Sequence, residues 1–318
     1  MSSLVTTLTL NPTIDLASEA EMVHPVRKIR TSGERQDPGG GGVNVARVVR
    51  ELGGETQAII LAGGVTGRFL EELLEEGGVP HHSIPIGGRT RISHTVLERK
   101  TGLEYRFVAE GPTVTEPEWQ AALAAVAELR QGWLVASGSL PPGVPADFYA
   151  RLAAQAARQG LRCVLDTSGE ALRLAVRQGG LELVKPSLGE FEALMGRPLR
   201  EPAAQEAAAM ELVRAGGTRM VAVTLGGDGA LLATAEGTLR LPALPVKVRG
   251  AVGAGDSFLA AMTLALARGD APTDAFAWGV AAGAAAVSNA GTAHPTREEV
   301  AALRARITTV PQMAGALP

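Results

Sequence analysis

WLVASGSLPPGVPADFYARLAAQAARQGLRCVLD, residues 133–166, contains two short apolar runs separated by an Ala-rich stretch. The runs WLVAS and RCVLD predict buried β-strands. The stretch DFYARLAAQAARQG, in which apolar residues recur every three or four positions, predicts an amphipathic helix. A strand, a helix and a second strand in this order form the repeating unit of a parallel sheet. This segment therefore predicts an α/β fold.

The same alternation of strands and helices extends through much of the chain. It predicts a doubly wound, mostly parallel sheet that is covered by helices on both faces. Further strands are predicted at TTLTL, TQAIILA, LELVK and MVAVTL, and further helices at NVARVVREL, RFLEELLEE and AQEAAAMELVRAGG.

Two stretches depart from this alternation and predict a small β-sheet lid. Residues from about 15 to 35 are polar and turn-rich, whereas residues 91–108 alternate like an antiparallel hairpin around Thr101 and Gly102. We expect one domain over residues 1–318 to carry these lid strands. Because exposed strands need cover, the lid also favours a homodimer.

The composition indicates small-molecule chemistry in a reducing compartment. The 318 residues are 46% hydrophobic and 20% charged, and their formal net charge is −3. Without a basic stripe, neither a nucleic acid nor an anionic membrane is an expected partner. The single Cys163 cannot form an internal disulfide, the N-terminus lacks a cationic leader, and the apolar runs are too short to span a membrane. We therefore expect a cytoplasmic protein.

A glycine-rich turn opens a predicted helix in GAVGAGDSFLAAMTLALARG, residues 250–269. Gly253 and Gly255 allow tight backbone geometry, and the free N–H groups from Gly253 through Ala254 to Asp256 form an anion hole. Asp256 lies at the helix entrance, where it would act as a catalytic base or simply as an N-cap. On its own, this turn does not separate the two alternatives.

Two other glycine-rich segments strengthen the prediction of a site. DPGGGGVNVARVVRELGG places four glycines before a periodic helix with Asn44 in its first turn, which suits contact with a polyhydroxyl substrate. A flexible linker is the alternative. In VTLGGDGALLAT, residues 223–234, Thr224, Gly226 and Gly229 would accommodate nucleotide phosphates and ribose, although an ordinary hairpin turn explains the same letters.

Six motifs follow one another along the chain from about Leu8 to Thr292: TLTLNPTID, PGGGGVNVAR, SGSLPPG, KPSLGE, VTLGGDG and VGAGDS. Their order resembles the ribokinase/PfkB family of carbohydrate kinases, and within it the minor-type 6-phosphofructokinases. The resemblance implies a ribokinase-like α/β domain with a β-sheet lid, usually dimeric through the lids. It also implies phosphorylation of fructose 6-phosphate by Mg-ATP, with Asp256 as the catalytic base.

The resemblance further assigns binding roles to individual residues. The sugar would be held by Asp15, Gly40, Gly41 and Asn44. Its distal phosphate would be held by Lys28, Arg30, Arg91 and Ser139, with Lys28 and Arg30 reaching from the partner subunit or, alternatively, forming only a solvated lid surface. The nucleotide would be held by Lys185, Ser187, Thr224, Gly226, Gly229 and Asn289. Glu190 and Asp166 would reach Mg²⁺ through water, although an Asp at a strand end also commonly makes a turn.

The chain departs from the family pattern at two positions. Ser187 stands where the family usually has Asn, and Ala251 where it commonly has Thr or Ser. We expect slower or metal-shifted turnover rather than inactivity, and a non-catalytic sugar-phosphate or nucleotide sensor is the alternative. Whether a monovalent cation binds between about Ala251 and Thr292 stays open.

The preferred substrate is a separate question. Four consecutive glycines favour fructose 6-phosphate, because the sister tagatose-6-phosphate and fructose-1-phosphate kinases usually have a Lys in that run. Both of these sugar phosphates stay as alternatives. A dinucleotide-dependent dehydrogenase is not favoured, because the GAGD turn lies late in the chain and no suitable first strand–helix–strand fingerprint precedes it.

Overall fold

Two β-sheets and their covering helices account for the residues that the computed structural model describes, 4–250, 252–289, 293–308 and 313–314. In chain order the strands are β1 (Val5–Thr9), β2 (Thr13–Ala20), β3 (Thr31–Gly39), β4 (Thr56–Ala62), β5 (His81–Pro85), β6 (Arg91–Glu98), β7 (Glu104–Val108), β8 (Trp133–Ser137), β9 (Arg162–Asp166), β10 (Leu181–Val184), β11 (Thr218–Thr224), β12 (Ala230–Thr234) and β13 (Gly237–Leu241). The helices are α1 (Gly41–Glu51), α2 (Gly64–Glu76), α3 (Glu116–Ala127), α4 (Phe148–Gln159), α5 (Gly169–Gln178), α6 (Leu188–Met195), α7 (Pro202–Arg214), α8 (Ala254–Arg268), α9 (Pro272–Val287) and α10 (Arg297–Ala305). In this described part of the chain, no helix combines the length and apolar character needed to cross a membrane.

The larger sheet has nine strands among the described residues, in the order β13-β12-β11-β10-β9-β8-β1-β4-β5. Every neighbouring pair from β11 to β5 is parallel, and β12 and β13 add an antiparallel hairpin at one edge. The predicted doubly wound, mostly parallel sheet is confirmed. The six apolar runs predicted as its strands all belong to it. β12 is the second strand of the hairpin interpretation of residues 223–234, and the edge strands β5 and β13 are additional.

Apolar helix faces bury both surfaces of this sheet. Helices α3 to α7 pack on one surface around Phe148 and Phe191, and α1, α8 and α9 pack on the other around Phe258 and Phe276. Each of these rings is at most 3% exposed, and burying a side chain of this size contributes about 1.5–3 kcal/mol. Gly279 lets α9 approach α8 closely, because a Cβ there would lie 3.1 Å from Phe258. This packing holds the first turns of α1 and α8 in place.

The smaller sheet has the order β3-β2-β6-β7 and corresponds to the predicted lid. β6 and β7 form the predicted antiparallel hairpin, while β2 pairs with β6 in parallel. Asp15 lies opposite Ser93, and Thr95 lies opposite Arg106. Because alternate residues of a strand share one face, Asp15, Arg91 and Arg106 lie on the same face of the lid.

Candidate active site

Several predicted site residues meet at the carboxyl ends of the parallel strands. Asp166 ends β9, Lys185 follows β10 and Thr224 ends β11, while the first turns of α1 and α8 carry Asn44 and Asp256. Nδ2 of Asn44 donates a hydrogen bond of 2.8 Å to Oδ2 of Asp256, although the two residues are 212 positions apart in sequence. This edge is also where open α/β sheets generally bind ligands.

Asp256 lies at the third position of α8, whose N-cap is Gly253 in the left-handed conformation. The alternative that Asp256 is only the N-cap is therefore wrong. Burial and the negative charge of Asp166 raise the pKa of Asp256 to about 6, while the hydrogen bond from Asn44 and the charge of Lys185 oppose this rise. A carboxylate with such a pKa is ionised at neutral pH and still accepts a proton readily, as a general base must.

Lys185 lies beside the glycine-rich turn in a buried ion pair. Its Nζ is 3.2 Å from Oδ2 of Asp166, and a Cβ added at Gly255 would lie 3.1 Å from that Nζ. Burial alone would lower the pKa of Lys185, but the carboxylates of Asp166 and Asp256 raise it, and the net direction is upward. A charged ammonium group therefore lies next to the N–H groups that begin α8, and together they suit a phosphoryl group.

The glycine run before α1 packs closely against neighbouring strands. Gly40 has a φ of 102°, and a Cβ there would lie 2.9 Å from Cγ2 of Thr9. A Cβ at Gly41 would lie 2.2 Å from Oγ of Ser137. The flexible-linker alternative is therefore wrong, because side chains have no room here. The main chain of Gly40 and Gly41 is partly exposed, so a polyhydroxyl ligand has access to it.

Asp15 faces three guanidinium groups. Burial raises its pKa to about 6, and the positive charges of Arg91, Arg47 and Arg106 oppose this rise. Its Oδ2 also lies against Gly39, since a Cβ added there would be only 2.1 Å away. The carboxylate of Asp15 can accept hydrogen bonds from sugar hydroxyls, and the neighbouring guanidinium groups can donate hydrogen bonds to a phosphate.

Arg91 and Ser139 are connected through a third residue, Asn11. The Nη1 atom of Arg91 donates to the carbonyl oxygen of Ala109 and Nη2 to the carbonyl oxygen of Asn11, both at 2.8 Å. The hydroxyl of Ser139, in an exposed loop after β8, accepts a 3.3 Å hydrogen bond from Nδ2 of Asn11. The structure thus brings these two predicted phosphate-binding residues into one network.

Lys28 and Arg30 lie in the exposed loop that joins β2 to β3. The start of this loop is held by Glu98, whose Oε2 accepts a 2.9 Å hydrogen bond from the backbone N–H of Val23. Both cations are therefore carried by the lid, and their role in binding phosphate stays a prediction.

The turn between β11 and β12 accommodates two of the predicted nucleotide-binding glycines. Gly226 begins a 3₁₀ turn, and Gly229 has a φ of 93°. A Cβ at Gly229 would lie 2.0 Å from the carbonyl oxygen of Leu241. The turn connects antiparallel strands, so both the nucleotide-binding and the ordinary hairpin interpretation fit its geometry.

Ser187 and Glu190 form a capping box at the start of α6. Oγ of Ser187 donates to Oε2 of Glu190 at 2.8 Å, and the backbone N–H of Glu190 donates to that Oγ at 3.4 Å. Asn289 follows α9, and its Nδ2 donates to Oε2 of Glu299 at 3.2 Å. These predicted nucleotide and metal residues therefore engage groups of the chain itself. Ala251 and Thr292 lie outside the described residues.

Arg47 and Arg106 join the site although the sequence analysis did not name them. Nη2 of Arg47 donates to Oδ1 of Asp37 at 3.0 Å, so that α1 is bound to the lid strand β3. Two signals were present in the sequence. Arg47 lies one helical turn after Asn44, and the alternation that predicts the hairpin also puts Arg106 on the face of Arg91.

Known proteins match the chain over nearly its whole length. Residues 6–299 match the family described as pfkB family carbohydrate kinase. The chain is 43% identical over 298 residues to the ATP-dependent 6-phosphofructokinase isozyme 2 of Mycobacterium tuberculosis, which covers 93% of this chain and 87% of that protein. It is 42% identical over 287 residues to the protein of the same name from Escherichia coli K12, which covers 90% of this chain and 93% of that protein.

Solved structures of the E. coli phosphofructokinase-2 match the fold closely. The complex with potassium has a TM-score of 0.94 at 39% identity, and the complex with fructose 6-phosphate has a TM-score of 0.92 at 38% identity. A tetrameric inhibited form of that protein also matches, with a TM-score of 0.92 at 38% identity. Each match covers 97% of this chain and 100% of the solved chain.

Proposed function

Because the chain belongs to the PfkB family of carbohydrate kinases, we propose that it transfers the γ-phosphoryl group of ATP to the C1 hydroxyl of fructose 6-phosphate. The products are fructose 1,6-bisphosphate and ADP. The names of the relatives support ATP and 6-phosphofructokinase activity, and the fructose 6-phosphate complex of the E. coli protein supports the sugar. Within this chain, the proposal rests on the half-buried Asp256 at the start of α8, with its pKa raised to about 6.

Asp256 accepts the proton of the attacking hydroxyl. As the C1 oxygen loses this proton, it forms a bond to the γ-phosphorus in line with the bond to ADP, which breaks. Asn44 orients the carboxylate through its 2.8 Å hydrogen bond. The negative charge on the transferring oxygens is met by the N–H groups of Gly253, Ala254 and Gly255 and by the ammonium group of Lys185.

The sugar phosphate is bound both at its hydroxyl groups and at its distal phosphate. Asp15 and Asn44 hydrogen-bond the sugar hydroxyls, close to the accessible main chain of Gly40 and Gly41. The distal phosphate is bound by Arg91, Ser139 and Arg106, with Lys28 and Arg30 supplied by the partner subunit. Arginine suits this position because its planar fork pairs with two phosphate oxygens.

In this proposal, the nucleotide lies at the carboxyl ends of β10 and β11, next to the first turn of α8. The residues assigned to it are Lys185, Ser187, Thr224, Gly226, Gly229 and Asn289. Magnesium enters as part of the substrate Mg-ATP, since Mg²⁺ is usually held by one or two carboxylates together with waters and substrate phosphates. Asp166 and Glu190 would reach Mg²⁺ through water.

The assembly and its environment complete the proposal. The chain forms one domain whose lids pair in a homodimer, and the potassium complex of the E. coli protein supports a monovalent cation. The tetrameric inhibited form of that protein indicates that larger assemblies also deserve testing. A cytoplasmic location stays a prediction.

ADP release from the purified protein tests the reaction. With Mg-ATP, we expect fructose 6-phosphate to give a higher kcat/KM than tagatose 6-phosphate, fructose 1-phosphate or ribose. The Asp256→Asn variant should lose about 10² to 10⁴ in kcat while still binding fructose 6-phosphate. If every sugar fails although ATP or a phosphosugar binds, the protein is a sensor. If another sugar phosphate gives the higher kcat/KM, the substrate assignment is wrong.

A further inference from the structure

Asn11 connects three segments that meet at the base of the lid. It follows β1, it is only 3% exposed, and its Nδ2 donates to the carbonyl oxygen of Glu110 at 2.9 Å and to Oγ of Ser139 at 3.3 Å. Its own carbonyl oxygen accepts the 2.8 Å hydrogen bond from Arg91. The side-chain amide of Asn11 therefore contacts the segment after β7 and the loop after β8, and its main-chain carbonyl contacts the start of β6.

Both backbone acceptors of Arg91 are connected to Asn11, one through its main chain and the other through its side-chain amide. One acceptor is the carbonyl of Asn11 itself, and the other is the carbonyl of Ala109, the neighbour of the Glu110 that the Asn11 side chain holds. The guanidinium group is thereby bound through two nitrogens to two carbonyls whose separation Asn11 maintains. Losing the amide would release Glu110 and, with it, the geometry of this double contact.

The close fit around Asn11 supports a positioning role. Gly111 has a φ of 108°, and a Cβ there would lie 2.3 Å from Oδ1 of Asn11. This Oδ1 is buried without a hydrogen-bond partner in the described residues. An unpaired buried oxygen costs stability, so the amide is better explained by the two contacts of its Nδ2 than by a contribution to folding.

We infer that Asn11 is a positioning residue that aligns Arg91 and Ser139 as one receptor for the distal phosphate of the sugar. This inference rests on the proposed function, because it assumes that these two residues meet a phosphate. Asn11 itself does not touch the substrate. Asn11 therefore affects the affinity for the substrate. It leaves the transfer step at Asp256 unchanged.

The Asn11→Ala variant tests the inference through separate kinetic constants. We expect the KM for fructose 6-phosphate to rise about tenfold, as the loss of aligned contacts to a charged group predicts. The kcat and the KM for ATP should stay within about twofold of wild type. The lost contacts stabilise the bound sugar phosphate and the transition state equally, so their loss raises only the KM for the sugar phosphate. Asn11→Ser, whose hydroxyl is too short to reach both partners, should behave in the same way if the alanine variant folds poorly.

Gln205→Ala is a matched control. Gln205 is also a buried amide, 6% exposed, and its Nε2 donates to the carbonyl oxygen of Leu199 at 2.9 Å, in a part of the fold that carries no predicted site residue. The Gln205→Ala variant should have a lower melting temperature than wild type and an unchanged KM for both substrates. A fall in kcat, an equal rise in both KM values, or the same KM effect in Gln205→Ala would overturn the inference.

Two further measurements separate this inference from the proposed function. In the Ser139→Ala background, Asn11→Ala should raise KM by clearly less than it does alone, because part of its effect passes through Ser139. If the KM increases of the two single variants multiply fully in the double variant, the inference is contradicted. Calorimetric binding of inorganic phosphate needs no turnover, so weaker binding by Asn11→Ala supports the inference even if the wild type is an inactive sensor, and unchanged binding contradicts it.

Discussion

At the scale of single residues, the site contains two carboxylates whose environment favours the protonated form. Burial raises the pKa values of Asp15 and Asp256 from 3.8 to about 6. The two groups have different neighbours: Asp15 lies among arginines of the lid and α1, whereas Asp256 lies between Asn44 and the carboxylate of Asp166. Both should be ionised at neutral pH, and Asp256 must be ionised to act as a base.

The raised pKa of Asp256 makes stability and activity respond to acid in opposite directions. Between about pH 4 and pH 6 the folded protein binds more protons at Asp256 than the unfolded chain, so its contribution to the free energy of unfolding grows as the pH falls. Over the same range kcat falls, because the base becomes protonated. The ionised carboxylate should cost about 1–3 kcal/mol at neutral pH, the lower figure allowing for solvent screening of a half-buried group.

Melting curves of wild type and Asp256→Asn across this pH range measure the effect. We expect the variant to be the more stable protein at about pH 8 and the difference to shrink as the pH falls below about 6. Because acidic groups far from the site titrate equally in both proteins, the difference between the two proteins reports on Asp256 and on the charged groups coupled to it, such as Asp166. A difference that is independent of pH, or one that widens in acid, would contradict the raised pKa.

At the scale of elements, two glycines of one motif have different structural requirements. In VTLGGDG, Gly229 has a φ of 93° and a Cβ there would meet the carbonyl oxygen of Leu241 at 2.0 Å, whereas Gly227 has open space around it. From the sequence alone, Gly227 and Gly229 are two equivalent glycines of one predicted turn. Only the pairing of β12 with β13 shows that Gly229 must let the end of β13 approach.

Alanine substitution of each glycine tests this difference. Gly229→Ala should destabilise the protein by about 2–3 kcal/mol, from backbone strain and the clash with Leu241, and should weaken ATP binding. Gly227→Ala is the matched control, and we expect its stability to change by less than about 0.5 kcal/mol. Urea unfolding and ATP titration measure both variants, and equal effects at the two positions would show that the turn tolerates Cβ at either one.

At the scale of the whole molecule, the fold was predictable because its signals are periodic and local. Runs such as WLVAS and RCVLD alternate with helices, and parallel strands bring their carboxyl ends to one edge. This is why Asp166 and Lys185 could be expected together, whereas Asp256 begins a helix and was placed with them by the order of the motifs. The hydrogen bond of Asn44 to Asp256 spans 212 positions, and only the motif order, not the spacing, pointed to it.

The contacts that the sequence did not predict depend on register and on side-chain direction. Arg106 reaches Asp15 because β7 pairs with β6 in one particular register. The resemblance assigns Ser187 to the nucleotide, and the structure shows in addition that its hydroxyl caps α6 through Glu190. Such choices are decided by competition among nearby partners, which a single sequence does not rank.

The lid leaves apolar side chains exposed on a single chain. Ile92 is 43% exposed and Phe107 is 60% exposed, and both lie on strands of the small sheet. Exposed strands and apolar side chains of this kind favour association with another copy. In such a dimer, the loop with Lys28 and Arg30 would reach the site of the partner subunit, so that assembly and affinity for the phosphosugar would be coupled.

Phe107→Glu tests this coupling, with Phe107→Leu as the conservative control. Sedimentation should give a dimer for wild type and Phe107→Leu, and a monomer for Phe107→Glu, because burying a carboxylate in an apolar contact is unfavourable. The monomer should also show a KM for fructose 6-phosphate raised by about tenfold or more, since it lacks two charged phosphate contacts. Wild type that stays monomeric with substrate present would refute pairing through the lids, and a monomeric variant with an unchanged KM would assign Lys28 and Arg30 to the solvated lid surface instead.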